Sequence, residues 1–245
     1  VSDSKVKEAR RQYNEHQEAL LDIAEAYDVD PEYLVAFWGL ESSFGRYQGK
    51  YDIVRSLATL GHDKRRSAFF TRQLIAALQI LDQGHVSRAE FVGGWAGAMG
   101  QNQFMPSTFL DYAVDYDKDG RKDIWSNKLD VWASIASYLK RHKWQRGAGW
   151  GFRVVVPDEL DMDELAPREV SSGCRALRQH SRKMGLAQWQ QLHVARDRKA
   201  SDHMFALLQP DEGESSGFLV GGNFRAILSY NCANKYAVSV GLLAD

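Results

Sequence analysis

The chain has 245 residues, 44% of them hydrophobic and 26% charged, which is typical of a folded globular protein with one large domain or two small ones. This composition excludes disordered and fibrous proteins. The formal net charge of -1 at pH 7 offers no basic field to a polyanion, so we predict no binding of nucleic acid. No apolar run has the length of a membrane helix, and the polar first residues do not read as a signal peptide.

The first 145 residues are predicted to be mostly helical. Residues 5–28 are rich in helix formers and place Ala19, Leu20, Ile23 and Ala24 on one stripe, which predicts a surface helix. Hydrophobic periodicity and flanking glycines predict further helices at 67–83, 87–92, 106–114 and 128–142.

From about residue 150 the pattern changes to short apolar or β-branched runs, which predict strands within 152–157, 203–210 and 217–222. The segment 174–185 between them has helical character, and residues 223–244 return to helical spacing. The predicted fold class is therefore α+β, mainly α, with a small antiparallel β subdomain inserted between helical parts.

The two cysteines, Cys174 and Cys232, lie far apart in the sequence and lack metal-ligand spacing. Two interpretations stay open from the residues, a single disulfide or two buried thiols.

One segment, DVDPEYLVAFWGLESSFGRYQG, predicts a helix with an unusual glutamate. Asp30 is a good N-cap and Pro31 suits the first helical position, so a helix should begin here and end near Gly45. Within it Leu34, Phe37, Trp38 and Glu41 fall at i, i+3, i+4 and i+7, so Glu41 is predicted on the apolar stripe.

A carboxylate in such a place is costly unless it has a use. Nearby aromatic residues and the negative end of the helix dipole both favour the protonated acid at Glu41. A protonated glutamic acid in an aromatic pocket is what a glycosidic oxygen needs as proton donor. The alternatives are a glutamate paired with a buried arginine and a helix end from which the side chain reaches water.

The motifs GLESSFGRYQGKYDIVRSLATL, DKRRSAFF, GWAGAMGQNQFMPSTF, DYDKDGRKDIW and ILSYNCANKYAVSV occur in this order. Together they resemble the lytic murein transglycosylases of the B type, over about 35–144 and from 223 to the end. The resemblance implies a lysozyme-like catalytic core. We predict five segments in chain order. They are an N-terminal helical segment (1–29), the catalytic core with its Asp-rich loop 115–130 (30–130), a second helical segment (131–149), the small β subdomain with an inserted helix (150–221) and a helical return to the core (222–245).

The resemblance also implies the roles of individual residues. Glu41 opens the ESSFG motif and matches the catalytic glutamate. The positions that match saccharide-binding residues are Arg65, Arg66, Gln103, Phe104, Tyr138, Tyr230, Asn231 and Tyr236. Gly94 departs from the pattern, because relatives often carry there a serine whose hydroxyl helps to orient the glutamate; Gln101 or a backbone group could replace it.

The implied reaction is non-hydrolytic cleavage of the β-1,4 bond between N-acetylmuramic acid and N-acetylglucosamine, giving 1,6-anhydromuramic acid products and using no catalytic cofactor. A single glutamate serves as acid and then as base. The next acidic residue, Asp52, lies beyond a glycine turn and has no obvious reason to return to the site. A hydrolytic muramidase and an inactive glycan-binding module are the alternatives.

An Asp-rich loop follows the core motifs. Asp115, Asp117, Asp119 and Gly120 match the opening of an EF-hand loop, but Ser126 stands where that loop places its final glutamate. The resembling family closes a longer loop with a later aspartate, which implies Asp130 here, with the Arg121 carbonyl as a further ligand. A structural calcium ion is the prediction, and a solvated acidic turn is the alternative.

The implied substrate also predicts the cellular compartment. We expect action on peptidoglycan in the periplasm of a diderm bacterium, by a monomer that is soluble or anchored to the outer membrane through a lipid outside this chain. Other cell-wall enzymes are candidate partners. The motifs do not predict whether the action is endolytic or exolytic, or whether a further wall-binding module exists.

Overall fold

The structure is a computed structural model and describes residues 1–167, 173–195, 202–210 and 215–245. It separates into two compact units, the first formed by 1–141 with Ala244 and the second by 142–243 with Asp245. Parts of the predicted β subdomain lie outside the described residues, and the finer division of the chain stays a prediction. No helix in the described ranges combines the length and apolar character that crossing a bilayer requires.

The first unit is built almost entirely of helices. They are α1 (Asp3–Glu15), α2 (Gln17–Tyr27), α3 (Pro31–Ser42), α4 (Ile53–His62), α5 (Ser67–Asp82), α6 (Pro106–Tyr112) and α7 (Lys128–Arg141). The short strands β1 (Tyr51–Asp52) and β2 (Val92–Gly93) pair antiparallel, with Tyr51 opposite Gly93. Helix α3 packs against α1, α2 and α7, so it lies at the centre of this unit.

The helical predictions for this unit are mostly confirmed, with three differences. Residues 5–28 form two helices, because the chain breaks at His16, which has φ -119° and ψ 19°. The helix predicted at 87–92 is wrong: Ser87 and Glu90 close a single turn through their side chains, and Val92 then joins the β ladder opposite Asp52. Helix α4 was not predicted.

The second unit contains a four-stranded antiparallel sheet in the order β3-β6-β5-β4. Its elements are β3 (Gly151–Val155), β4 (Met184–Gly185), α8 (Leu186–Gln191), β5 (Met204–Leu208), β6 (Ser216–Val220), α9 (Gly222–Tyr230) and α10 (Asn234–Ala244). The three runs predicted as strands all form strands. Trp189 is fully buried against one face of this sheet and donates its indole N–H to the Phe205 carbonyl at 3.0 Å.

The helix suggested for 174–185 is wrong beyond its first turn. Residues Arg175–Gln179 form a short 3₁₀ helix, and the chain then extends. The extension follows from pairing with the sheet edge: the Ser181 N–H donates to the Leu207 carbonyl at 2.9 Å, and Met184 lies opposite Phe205 in the ladder. Helix α8 was not predicted.

The cysteines form a disulfide within the second unit. Cys174 and Cys232 are bonded, with their Cα atoms 5.6 Å apart. The bond closes a loop of 58 residues and joins the segment before the 3₁₀ helix to the loop after α9. Of the two interpretations left open by the sequence, the structure has the disulfide.

Candidate active site

Glu41 lies in the last turn of α3, in a helix that is buried on almost every side. Leu34, Phe37 and Trp38 are at most 1% exposed, as the stripe predicted, but Val35 and Ala36 are buried as well. The helix is therefore a central core helix rather than an amphipathic one, and an apolar stripe alone does not distinguish the position of Glu41. Glu41 itself is half-buried, at the point where this apolar helix meets the surface.

The backbone is strained just after the helix that carries Glu41 ends at Ser42. Ser43, Phe44 and Gly45 all have left-handed conformations, with φ of 51°, 62° and 83°. The turn is closed by hydrogen bonds from the Ser43 and Phe44 N–H groups to the carbonyls of α3 and by the Ser42 hydroxyl, which accepts from Gly45 N at 3.0 Å. Successive left-handed residues cost about 1–2 kcal/mol each for non-glycine side chains. Three successive left-handed residues after a helix are more than an ordinary C-cap needs, which motivates the hypothesis of a functional site here.

A buried glutamine ties this turn to the Asp-rich loop. The Gln101 amide oxygen accepts from the Trp38 indole N–H at 2.6 Å, and its amide N–H₂ donates to the Trp125 carbonyl at 2.8 Å. The Trp38 ring in turn meets Phe44 and Trp132 edge-on, at 5.5 and 5.4 Å between centroids. Gln101 thus holds the tryptophan one turn before Glu41. The sequence analysis names Gln101 as a group that could orient Glu41; the bonds described for its amide go to Trp38 and Trp125, so any such effect passes through the tryptophan.

Gly45 is required by its conformation and by its neighbour. A Cβ at Gly45 would lie 2.4 Å from the Gln101 amide oxygen. We expect Gly45→Ala to lower the free energy of unfolding by about 2 kcal/mol or more, because the substitution adds left-handed strain and displaces the amide that binds Trp38. Chemical denaturation measures this loss.

Gly84→Ala is the matched control for Gly45→Ala. Gly84 also has a positive φ, 74°, but a Cβ there would meet nothing within 4 Å. We expect it to cost only about 1 kcal/mol, the conformational part alone. An equal loss of unfolding free energy in the two variants would show that the Gln101 side chain can move away from the new Cβ at no energetic cost.

The glycines of the GWAGAMG motif serve protein packing. A Cβ at Gly97 would lie 2.5 Å from the Leu57 side chain, and one at Gly100 would lie 2.6 Å from Ile124. The absence of a side chain at these two positions therefore lets the loop pack closely against Leu57 and Ile124. Gly94 is different, because a Cβ there would make only ordinary contacts, at 3.6 Å to the Gln103 amide oxygen and 3.7 Å to Ala98.

Three of the predicted saccharide residues lie in or behind this loop. Gln103 is half-buried with φ 51°, and its amide N–H₂ donates to the carbonyls of Gln48 and Gly100 at 3.2 and 2.9 Å. Phe104 is 2% exposed and its ring lies 5.9 Å from that of Tyr138. Burial raises the pKa of the Tyr138 hydroxyl, so this phenol stays neutral. Gln48, which the sequence did not single out, fixes the orientation of Gln103.

Arg65 and Arg66 lie in the exposed connection between α4 and α5. Arg65 forms an ion pair with Asp63 at 3.0 Å, and this neighbour lowers the pKa of the Asp63 carboxyl. The Arg66 guanidinium lies 4.4 Å from the centre of the Phe69 ring. Both cations face solvent and can meet an anionic ligand only by leaving or sharing these partners.

Asp52 has a structural use. Its carboxylate accepts the Arg55 N–H at 2.8 Å as the N-cap of α4 and pairs with Arg88 at 2.7 Å. The bond from Arg88 lowers the pKa of Asp52. This carboxylate therefore serves as a helix cap and as the partner of an arginine.

The remaining predicted saccharide residues belong to the second unit. Tyr230 is the last residue of α9 and is half-buried, Asn231 is its exposed C-cap, and Tyr236 is half-buried in the first turn of α10. The disulfide through Cys232 restrains this connection.

The Asp-rich loop brings three carboxylates together. Oxygens of Asp115, Asp117 and Asp130 lie within 4.8 Å of one another. Asp130 is fully buried and accepts the Tyr116 and Asp123 N–H groups at 2.8 and 2.7 Å. Burial raises the pKa of Asp130 to about 6, and the neighbouring carboxylates act in the same direction. An all-oxygen donor set with unbalanced negative charge fits a hard cation such as calcium.

Asp119, another predicted ligand of this loop, is not among the three clustered carboxylates. Asp119 is exposed and its carboxylate accepts the Arg121 N–H at 2.8 Å. Arg121 directs its guanidinium to the His85 carbonyl at 3.2 Å. Asn127, which the sequence did not single out, donates to Asp117 at 2.8 Å. The participation of Asp119 and Arg121 stays a prediction.

The protein combines a helical unit, which carries the glutamate, with a second unit that contains an antiparallel sheet. It is therefore a mainly helical α+β protein of the lysozyme-like class. The family model for the transglycosylase SLT domain matches residues 1–245, and the chain belongs to this family. The fold class and the family inferred from the motifs are thereby confirmed.

Relatives and solved structures agree with this assignment. The chain is 30% identical to the membrane-bound lytic murein transglycosylase B of Escherichia coli (strain K12), over 95% of this chain and 61% of that protein. It is similar to SltB3 from Pseudomonas aeruginosa in complex with NAG-anhNAM-pentapeptide (TM-score 0.89, 38% identity, 100% of this chain and 64% of that one). It is also similar to Escherichia coli Slt35 in complex with calcium (TM-score 0.82, 29% identity, 100% and 74%). The chain thus spans less than two thirds of the first two relatives.

Proposed function

We propose that this chain is a peptidoglycan lytic transglycosylase with Glu41 as its single acid and base. The observation that carries the proposal is the placement of Glu41: a half-buried carboxyl group in the last turn of a buried, aromatic-rich helix, with a left-handed turn that begins two residues later. Membership of the transglycosylase family supports the same reaction class. SltB3, which is similar over the whole of this chain, binds a disaccharide pentapeptide with an anhydro sugar.

The proposed reaction needs no second carboxylate and consumes no water. Glu41 donates its proton to the β-1,4 oxygen as the bond from that oxygen to the anomeric carbon of N-acetylmuramic acid breaks. The 2-acetamido oxygen of the same sugar stabilises the electron-poor carbon. Glu41, now a carboxylate, removes the proton from the 6-hydroxyl, which attacks the anomeric carbon and closes the 1,6-anhydro ring. The proton returns to Glu41, so the acid is regenerated.

The remaining predicted residues serve this reaction as saccharide contacts. Gln103 is held by Gln48 and Gly100, so its half-buried amide presents a fixed orientation. Within the second unit, Tyr230, Asn231 and Tyr236 are proposed saccharide contacts and offer two phenols and an amide. Phe104 and Tyr138 are buried and pack together behind the loop that carries Gln103. Arg65 and Arg66 supply positive charge that can bind carboxylates of the substrate.

Product analysis tests the proposal against its alternatives. Mass spectrometry of the muropeptides released from purified peptidoglycan should show products lighter by one water and without a reducing end. Products with a reducing end would instead make the protein a muramidase. A folded chain that binds the glycan strands and releases nothing would be a binding module.

Gly94 allows a direct test of how Glu41 is oriented. The space at Gly94 admits a side chain without a clash, and its φ lies outside the left-handed region. We expect Gly94→Ser to fold with unchanged stability and to raise kcat by about two- to tenfold, the contribution of one hydrogen bond to the glutamate. Gly94→Ala is the control, since it adds the carbon without the hydroxyl. Equal rates in the two variants would mean that other groups already orient Glu41.

We propose further that the Asp-rich loop binds a structural calcium ion through Asp115, Asp117 and Asp130, with Asp119 and the Arg121 carbonyl as additional ligands. The cluster of carboxylates carries this proposal. Escherichia coli Slt35, which is similar over the whole chain, was solved with calcium. The ion would neutralise the like charges that surround the buried Asp130 and takes no part in catalysis.

The proposed substrate determines the compartment and the partners. Peptidoglycan of a diderm bacterium lies in the periplasm, where we place this protein as a monomer, either free or attached to the outer membrane by a lipid. Other cell-wall enzymes are its proposed protein partners.

A further inference from the structure

The second unit contains a cavity that the proposed reaction does not use. It has a volume of about 170 Å³ and lies between the 3₁₀ helix, the segment 180–183, strands β5 and β6, and the start of α9. Its floor is apolar, with Ala206, Val220 and Phe224 all at most 3% exposed. The cavity therefore offers a small apolar floor to a ligand.

The rim of this cavity carries an excess of positive charge. Arg182, Lys183 and Arg225 line it, and no carboxylate occurs among its described lining residues. Within the described parts of the chain no ion pair joins these three cations to an acid. Partial burial is the main cause that lowers the pKa of Lys183, and repulsion from the Arg225 guanidinium adds to it. An anion at this rim would relieve that repulsion.

The other polar groups of the cavity are already committed, which leaves the cations as its donors. Asn234 donates from its amide nitrogen to the Ala176 carbonyl and to Gln179, so its oxygen must accept from His180 Nε2 at 2.8 Å. Burial lowers the pKa of His180, so near neutral pH the ring carries no charge. The Ser181 hydroxyl accepts the Leu207 N–H and donates to the Arg182 carbonyl. Lys183 and Arg225 are the groups that can meet a ligand.

A ligand of this cavity must combine a negative group with a short apolar one. We infer that the cavity binds the terminal carboxylate of a peptide stem, with the small aliphatic side chain of its last residue on the floor formed by Ala206, Val220 and Phe224. Guanidinium and ammonium groups bind carboxylates with charge-assisted hydrogen bonds. The small volume suits one alanyl residue better than a longer side chain or a sugar ring.

The position of the cavity agrees with a stem that branches from a glycan strand. Arg225 and Tyr230 lie on the same helix, α9, five residues apart, which corresponds to about 7.5 Å along the helix axis. Tyr230 is a proposed saccharide contact that lies about 140° around α9 from Arg225. A five-residue stem spans up to about 17 Å when extended, so it can pass around the helix to the cavity. The inference therefore rests on the proposed function and adds a peptide subsite to it.

Binding of an isolated peptide tests the subsite without any catalysis. The probe is an N-acetylated pentapeptide that ends in D-Ala-D-Ala, titrated into the whole chain by calorimetry or NMR. We expect saturable binding that weakens about tenfold in Lys183→Gln and in Arg225→Gln, and that weakens similarly when the peptide carboxylate is amidated. Arg178→Gln is the matched control, because Arg178 is an exposed cation of the 3₁₀ helix outside the cavity lining. Equal weakening in the control, or tight binding of the amidated peptide, would overturn the inference.

Competition separates a peptide site from a general anion site. If inorganic phosphate displaces the pentapeptide at equal concentration, the cavity is an oxyanion site without peptide specificity, and the inference fails. If only carboxylate peptides compete, the inference holds.

Kinetics then connect the subsite to the reaction. We expect Arg225→Gln to raise KM about tenfold on glycan strands that carry stems and to leave KM unchanged on strands stripped of peptide by an amidase. An equal change on both substrates would overturn the subsite. Absence of activity in the parent chain would count against the proposed function alone, since peptide binding is measured independently.

Discussion

Replacing Glu41 by Gln is expected to reduce kcat on peptidoglycan by at least about 10²- to 10⁴-fold, while the fold stays intact. Glutamine keeps the size of the side chain but can neither donate the proton to the glycosidic oxygen nor remove the one from the 6-hydroxyl, and this residue performs both steps. The side chain is half-buried at a helix end, so the neutral amide should not disturb α3. Release of anhydro-muropeptides, followed by mass spectrometry, measures the loss.

Glu18→Gln provides the matched control. Glu18 is an exposed glutamate in the first turn of α2, so the same change of charge there should leave the rate unaltered. Circular dichroism and thermal unfolding establish that each variant is folded. A Glu41→Gln protein with the parent's rate would remove Glu41 from the mechanism and with it the single-carboxylate reaction.

Calcium is expected to raise the melting temperature of this chain by about 5–10 °C at a concentration one hundred times its dissociation constant. Binding to the native state alone contributes about 2.7 kcal/mol under that condition. The ion should bridge Asp115, Asp117 and Asp130, whose oxygens already lie close together. Differential scanning calorimetry with and without a chelator measures the shift.

Asp117→Ala separates calcium binding from the stability of the loop itself. Asp117 is the exposed member of the cluster, so its loss should remove the response to calcium and change the metal-free melting temperature little. Asp130→Ala should instead destabilise even the metal-free chain, because the N–H groups of Tyr116 and Asp123 lose their acceptor. Asp111→Ala, an exposed change outside the loop, should keep the full response. A calcium response that survives in Asp117→Ala would contradict the proposed ligand set.

The pH dependence of this effect follows from Asp130. Its pKa in the metal-free folded chain is about 6, above the value of 3.8 for an unperturbed aspartate. The native state therefore binds more protons than the unfolded state between these values, and the contribution of this group to stability falls as pH rises from about 4 to 6. Calcium competes with the proton, so its affinity should weaken as pH falls below 6.

Much of the local structure of the first unit follows from the sequence. Pro31 and the apolar run after it determine that a helix begins there, and periodicity sufficed for α5 and α7, whose bounds agree with the prediction to within one or two residues. The order of the motifs also indicated the family and the glutamate at position 41. These features depend on residues close together in the chain, so they can be recognised without the fold.

Where local preference competed with pairing partners, the prediction was wrong. Residues 87–92 and the end of 174–185 have helical composition, yet one segment pairs with β1 and the other with β5. Their hydrogen-bond partners lie far away in the sequence, and no local pattern reports them. The same holds for the disulfide, which the spacing of the cysteines left open.

The sequence by itself determined the family, the position of the glutamate and the candidate calcium loop. Only the tertiary structure decided the surroundings of that glutamate. Helix α3 is buried on nearly all sides rather than along one stripe. Gln101 joins Trp38 to Trp125, and Gly97 and Gly100 pack against Leu57 and Ile124. The cavity near Lys183 and Arg225 is another such feature, because its floor comes from β5, β6 and α9. Contacts of this kind arise when distant segments are packed together, and their energies depend on three-dimensional neighbours that no stretch of sequence contains.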